Sequence, residues 1–201
     1  MTHQITKEEV QNLIKVPGEV RGQVLITDLE YVKEKKDEEG IKLLKRKMED
    51  LGKPIDYEKA KIMEWYPIGL RVVSLLAIKE IFNWNDQEIW NMGNSAPKYS
   101  LIVKMLMKYF LSLEKISKEI SKYWAKHYSI GNLETAELNP KEKYWILHLK
   151  EIKVHPILCT YLAGYFLRIA TYVIKNKRIT LEETKCMFKG DPYHEFMVRW
   201  K

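Results

Sequence analysis

Residues 155–200 read HPILCTYLAGYFLRIATYVIKNKRITLEETKCMFKGDPYHEFMVRW, and the change of period inside this stretch decides the fold. From Pro156 to about residue 174 apolar side chains dominate at helical spacing, with proline near the first turn, where its missing N–H costs nothing. Two alternating runs follow, about 180–188 and 193–200, on either side of Lys189-Gly190-Asp191-Pro192. That pattern predicts a hairpin. A helix this apolar has to bury itself against the sheet that follows it. Working backwards, Tyr144 to Leu149 alternate, as do Leu133, Thr135 and Glu137, with Asn139-Pro140-Lys141-Glu142 as the turn between them.

Before Gly131 the period is helical. Val10, Leu13 and Ile14 share one face of a helix over 6–15, which starts behind Thr6 and stops at Pro17-Gly18. Further helices are predicted from about Asp28, over 38–51 with Ile41, Leu44 and Met48 inward, and over 68–82, 85–93, 98–110 and 113–128. Helices, hairpin, helix, hairpin predicts one α+β domain with a four-stranded antiparallel sheet. Residues 1–19 read as a helical extension and 20–201 as a single ligand-binding domain.

Composition narrows the function. Apolar residues are 46% and charged residues 30% of 201 positions, an ordinary globular balance. The longest apolar candidate, Ile157 to Ile174, is interrupted by Arg168, and the polar start MTHQITKEEV does not resemble a secretory signal. A cytoplasmic protein is expected. The net charge of +7 is spread over lysines interleaved with acids, as in Lys33-Glu34-Lys35-Lys36-Asp37-Glu38-Glu39, the pattern of solvated helix faces. No helix-turn-helix, zinc-finger or RNA-binding signature points to a nucleic-acid partner. Glycine never falls into a phosphate-binding loop, and neither cysteine sits in a nucleophile motif.

The last hairpin holds the residues with metal chemistry. A turn centred on Gly190 would set Cys186 opposite His194 and Thr184 opposite Phe196, with paired Cβ atoms ~4.5–5.5 Å apart. Cys159 lies on the preceding helix, and Glu182 and Glu183 lie just before Cys186. Cys159, Glu183, Cys186 and His194 therefore make a candidate four-ligand zinc site with no open position, a structural one.

From His155 onward the chain also resembles the C-terminal half of the 4-vinyl reductase domain family. Cys159, Gly164-Tyr165, Glu183, Cys186 and Gly190-Asp191 match its pattern, with His194 where the family has a cysteine. Glu64-Trp65-Tyr66-Pro67 resembles a motif of related proteins. The resemblance implies zinc held by Cys159, Glu183, Cys186 and His194, with Glu182 competing for Glu183. It also implies an apolar pocket walled by Trp65, Tyr66, Trp124, Tyr128, Trp145, Tyr161, Tyr165 and Phe166.

The reading that follows is a non-catalytic, sensor-like domain for a small hydrophobic or aromatic ligand. It would act as a homodimer through the segment before Val20, or through a partner protein. An accessory or catalytic role on a tetrapyrrole and a protein-interaction adaptor are the alternatives. A haem reading, suggested by the distant likeness of such folds to haem sensors, would need His127, His148 or His155 as axial ligand.

Overall fold

The computed structural model describes residues 4–107, 112–175 and 178–201. Their elements run α1 (Lys7–Ile14), β1 (Glu19–Arg21), α2 (Gly22–Asp50), β2 (Trp65–Pro67), α3 (Ile68–Ile81), α4 (Asp86–Tyr99), α5 (Leu101–Met107) and α6 (Leu113–Trp124). After these come β3 (Asn132–Asn139), β4 (Tyr144–Lys150), α7 (Pro156–Val173), β5 (Ile179–Lys185) and β6 (His194–Trp200). The fold is α+β, and the four-stranded antiparallel sheet has the order β3-β4-β6-β5. The two hairpins meet along β4 and β6, with Trp145 opposite Val198, Leu147 opposite Phe196 and Leu149 opposite His194. All six of these side chains are buried, so this face is the floor of the core.

The N-terminal half differs from expectation in its details. Glu19–Arg21 pairs with Trp65–Pro67 as a second, two-stranded sheet, and α2 starts at once at Gly22. Three-residue strands leave too short an alternation to read. The helices expected from Asp28 and over 38–51 do meet at Asp37, whose φ of 55° and ψ of -164° are non-helical and divide α2 in two. α1 lays the buried Val10 and Leu13 against α3. α4 continues past Asn94 to Tyr99 and carries Pro97 in its last turn, and α5 follows directly. The helix expected over 98–110 therefore divides at Ser100, and its last part lies outside the described residues.

α7 is the central helix. Among the described helices it alone has the length and apolar composition to cross a membrane. The Arg168 guanidinium lies on α4, where Nε donates to the Asn94 carbonyl (3.0 Å) and Nη2 to Asn94 Oδ1 (2.6 Å). More than half of the helix (56%) is buried, as in a core helix packed between α4 and the sheet. Glycines set the α4–α7 spacing. A Cβ on Gly93 would stand 1.9 Å from the Tyr161 carbonyl oxygen, and one on Gly164 would stand 2.1 Å from that of Trp90. Asn94 Nδ2 also donates to the Gly164 carbonyl at 3.0 Å.

Neither backbone can yield to a methyl group without parting the helices. Gly164→Ala is expected to cost ~1–3 kcal/mol, the usual range for forcing extra volume into a packed core, and to lower the melting temperature by several degrees. Ala163→Gly, one position along on a half-buried face, serves as the control in the same calorimetric melt. An unchanged Gly164→Ala melt would mean that the two helices are not in backbone contact.

Candidate functional site

Three helices present side chains at spacings of four residues to one interior space. α6 contributes Ile116, Ile120 and Trp124, α7 contributes Tyr161, Tyr165 and Ile169, and α2 contributes Gln23 and Thr27. Residues four apart stack on one helix face, so these rows form continuous walls. Val103 of α5, Leu133 of β3, Phe166, Arg71, His127 and Tyr128 complete a cavity of about 80 Å³. The Trp124 and Tyr128 rings stack at 4.0 Å with 5° between their planes, and Trp124 Nε1 donates to the Ile130 carbonyl at 2.9 Å.

One side of the cavity is charged but compensated. Arg71, only 1% exposed, donates from Nε to Asp28 Oδ2 (3.0 Å) and from Nη2 to Asp28 Oδ1 (3.4 Å). Its Nη1 donates to the Tyr128 hydroxyl, and the Tyr161 hydroxyl donates to Asp28 Oδ1 at 2.6 Å. The guanidinium also lies 4.4 Å from the Tyr161 ring centroid. Four side chains from α2, α3, α7 and the turn after α6 thus satisfy one another.

His127 is different. It is 8% exposed, and burial pushes its pKa below the ordinary histidine value, so the ring is neutral. Its Nδ1 lies 3.2 Å from the Tyr123 carbonyl, which can only accept, so Nδ1 carries the proton. Nε2 is then a bare lone pair, buried and without a partner among the described residues.

The candidate residues divide between this cavity and elsewhere. Trp124, Tyr128, Tyr161, Tyr165 and Phe166 line it. Trp65 and Tyr66 lie on β2, where the Arg21 guanidinium covers the Trp65 ring at 3.7 Å and the Tyr66 hydroxyl accepts from Lys61 N. Trp145 is in the core of the sheet, its Nε1 donating to Thr135 Oγ1 at 3.0 Å. Of the histidines considered for haem, His148 pairs with Glu195 at 2.8 Å and His155 caps α7, leaving His127 at the cavity. Asp28, Arg71, Gln23 and Thr27 were not anticipated. The one available signal was a charge in an apolar helical run, Asp28 in VLITDLEYV and Arg71 in IGLRVVSLLAI.

Cys159, Glu183, Cys186 and His194 do converge, with one ligand atom from each all lying within 4.8 Å of one another. The hairpin register is not the one expected. Glu183, not Thr184, faces Phe196, a bulge follows, and β5 ends at Lys185, so Cys186 has no ladder partner. The bulge shifts the pairing beyond Lys185, and the turn takes Cys186 out of the ladder: Met187–Lys189 form a 3-10 helix closed by Gly190 at φ 100° and by the Asp191 carboxylate accepting from Cys186 N at 2.8 Å. Glu183 shares the inward face of β5 with Ile179 and Leu181, and its Oε1 is 3.0 Å from His194 Nδ1, with Cys159 Sγ 3.6 Å from the same nitrogen. His194 Nε2 reaches the Ile152 carbonyl at 3.1 Å. Glu182 is exposed and outside the group.

Removing one member of the buried ion pair leaves the other charge unmatched. Asp28→Asn keeps the shape and is expected to cost ~3–5 kcal/mol, read as a lower urea midpoint at unchanged slope. A loss under ~1 kcal/mol would show that Arg71 is compensated by solvent rather than by Asp28.

No family model and no curated protein matches the sequence. Solved structures do share the fold. An H-NOX protein from S. oneidensis in the Fe(II) ligation state aligns at a TM-score of 0.68 and 12% identity, over 90% of this chain and 96% of that one. An oxygen-binding H-NOX domain related to soluble guanylate cyclases gives 0.60 and 12%, over 90% and 95%. A structure described by heme redox potential and porphyrin distortion gives 0.64 and 11%, over the same shares. These likenesses overturn the expected 4-vinyl reductase family. That resemblance rested on a cysteine-bearing helix and one hairpin, a local pattern, whereas the H-NOX alignments span nine-tenths of the chain. The expectation of zinc, which the same resemblance implied, is not supported either, because these structures are described by iron and heme. The chain has the fold of H-NOX domains.

Proposed function

We propose that this chain is a non-catalytic, sensor-like domain that binds a small molecule in the cavity between α2, α6 and α7. The observation that carries this reading is an aromatic-walled cavity with one unpartnered buried acceptor, His127 Nε2. Such a space has the apolar walls and few polar groups of a ligand pocket. Beside it Asp28, Arg71, Tyr128 and Tyr161 are spent on one another, and Gln23, Thr27 and Ser100 are bonded to backbone groups.

The fold raises haem as a second reading, and the residues can be tested for it. His127 supplies a neutral imidazole lone pair, the right donor for iron. The room is wrong. About 80 Å³ is free, against the ~300–1,000 Å³ of pockets that hold drug-sized ligands. Arg71, Tyr128 and Tyr161 are hydrogen-bonded into the wall and do not leave space for a porphyrin. The cavity therefore does not fit haem.

Saturating benzene is expected to raise the melting temperature by several degrees, since a ligand bound only to the native state stabilises it by mass action. Ile120→Phe, which fills the cavity, is expected to remove the effect. No shift in the native chain would overturn the small-molecule reading. An intense Soret band on adding one equivalent of ferric haem, lost in His127→Phe, would replace it with the haem reading.

We also propose that Cys159, Glu183, Cys186 and His194 act as a clamp between α7 and the β5–β6 hairpin, and that the four can ligate one divalent metal ion. Their two thiols, carboxylate and imidazole are sufficient for four-coordination. Cobalt(II) is the probe, because thiolate ligation gives it strong visible and near-ultraviolet absorption. Bands saturating at one equivalent and lost in Cys186→Ala are expected. A colourless titration would restrict the clamp to hydrogen bonds.

A further inference from the structure

The proposed ligand can be narrowed by the chemistry of an unmet acceptor in the cavity wall, His127 Nε2. Resting on the reading that the cavity binds a small molecule, we infer that the ligand is a neutral, ring-sized apolar molecule with a single N–H or O–H group, and that this group donates to His127 Nε2.

Three observations converge on that class. The first is the tautomer. With the proton of Nδ1 engaged by the Tyr123 carbonyl, Nε2 offers only a lone pair, so a carbonyl, ether or nitrile would meet acceptor with acceptor. The second is charge. Asp28 and Arg71 already neutralise each other beside the cavity, and a charged ligand would bring an uncompensated ion into a low-dielectric space. Basic amines and carboxylates are thereby disfavoured. The third is size and shape. The stacked Trp124 and Tyr128 rings offer flat aromatic surface in a space of about 80 Å³, which suits one small ring rather than a fused or branched molecule. An unpaired buried acceptor is costly, and a ligand that pairs it gains the difference. His127 therefore acts as a specificity-determining residue.

Pyrrole and furan separate the inference from the reading beneath it. They are near-isosteric five-membered aromatic rings, and only pyrrole carries an N–H. Both would be titrated into the full-length ¹⁵N-labelled chain and into His127→Phe, with dissociation constants taken from amide shifts. The native protein is expected to favour pyrrole over furan about two- to tenfold more than His127→Phe does, the range of one net hydrogen bond. An unchanged ratio would overturn the inference and leave the cavity reading standing. Binding of neither ring to the native chain would overturn both.

A second readout needs no variant, in case His127→Phe does not fold. In ¹⁵N-histidine-labelled protein, pyrrole is expected to move the His127 Nε2 resonance upfield, as acceptance of a hydrogen bond does, while furan leaves it in place. Equal shifts with the two rings, or none with saturating pyrrole, would overturn the inference.

Discussion

The buried pair of Asp28 and Arg71 is the constraint around which the rest is arranged. Two opposite charges at 1% exposure are tolerable only when each donor and acceptor is met, and here the partners come from four separate places in the chain. Tyr161 binds α7 to α2 through the carboxylate, and Tyr128 binds the end of α6 to α3 through the guanidinium. Helix positions set by greasy contact alone could slide by a fraction of a turn at little cost. Positions set by these hydrogen bonds cannot, because each slip would strand a charge in the core. The network thus fixes one end of the cavity, and the apolar rows of α6 and α7 extend from it.

What the sequence showed and what it hid follow from the same physics. The four strands of the main sheet and α7 were legible because Trp145, Leu147 and Leu149, or Phe196 and Val198, alternate without interruption, and period is a local property. The β1–β2 pair was not, since three residues carry no measurable period and the partners are more than forty positions apart. The division of α2 was legible because the run from Asp28 passes into charged residues before Ile41, Leu44 and Met48 restart an inward face, and non-helical Asp37 stands at that boundary. The four converging donors were found because they lie on or beside three consecutive elements, α7, β5 and β6. Their exact partners were missed because a bulge and a 3-10 turn shift the register by one residue, which no spacing rule anticipates.

The cavity was harder. Its aromatic members on α6 and α7 were named, since large rings on apolar helix faces are conspicuous. Trp65 and Tyr66 were grouped with them on the family resemblance, while the Arg21 guanidinium is what covers the Trp65 ring. Asp28 and Arg71, each a lone charge in an apolar helix, look like surface residues until the partner 43 positions away is seen. His127 was considered as a metal donor without regard to its second nitrogen. The backbone carbonyl that fixes its tautomer is four residues back, a contact that exists only once α6 has ended.

The glycine contact between α4 and α7 has a mechanical consequence. Backbones that touch at Gly93 and Gly164 and are laced by Asn94 and Arg168 form a stiff plate, which cannot part without breaking hydrogen bonds at several points. The opposite wall is α6, whose inward face is three apolar side chains and whose hold on β3 includes the single Thr135 hydroxyl on the Ser117 carbonyl. A change in the volume of the cavity then falls on the walls outside this plate, α6 among them, rather than on the α4–α7 contact.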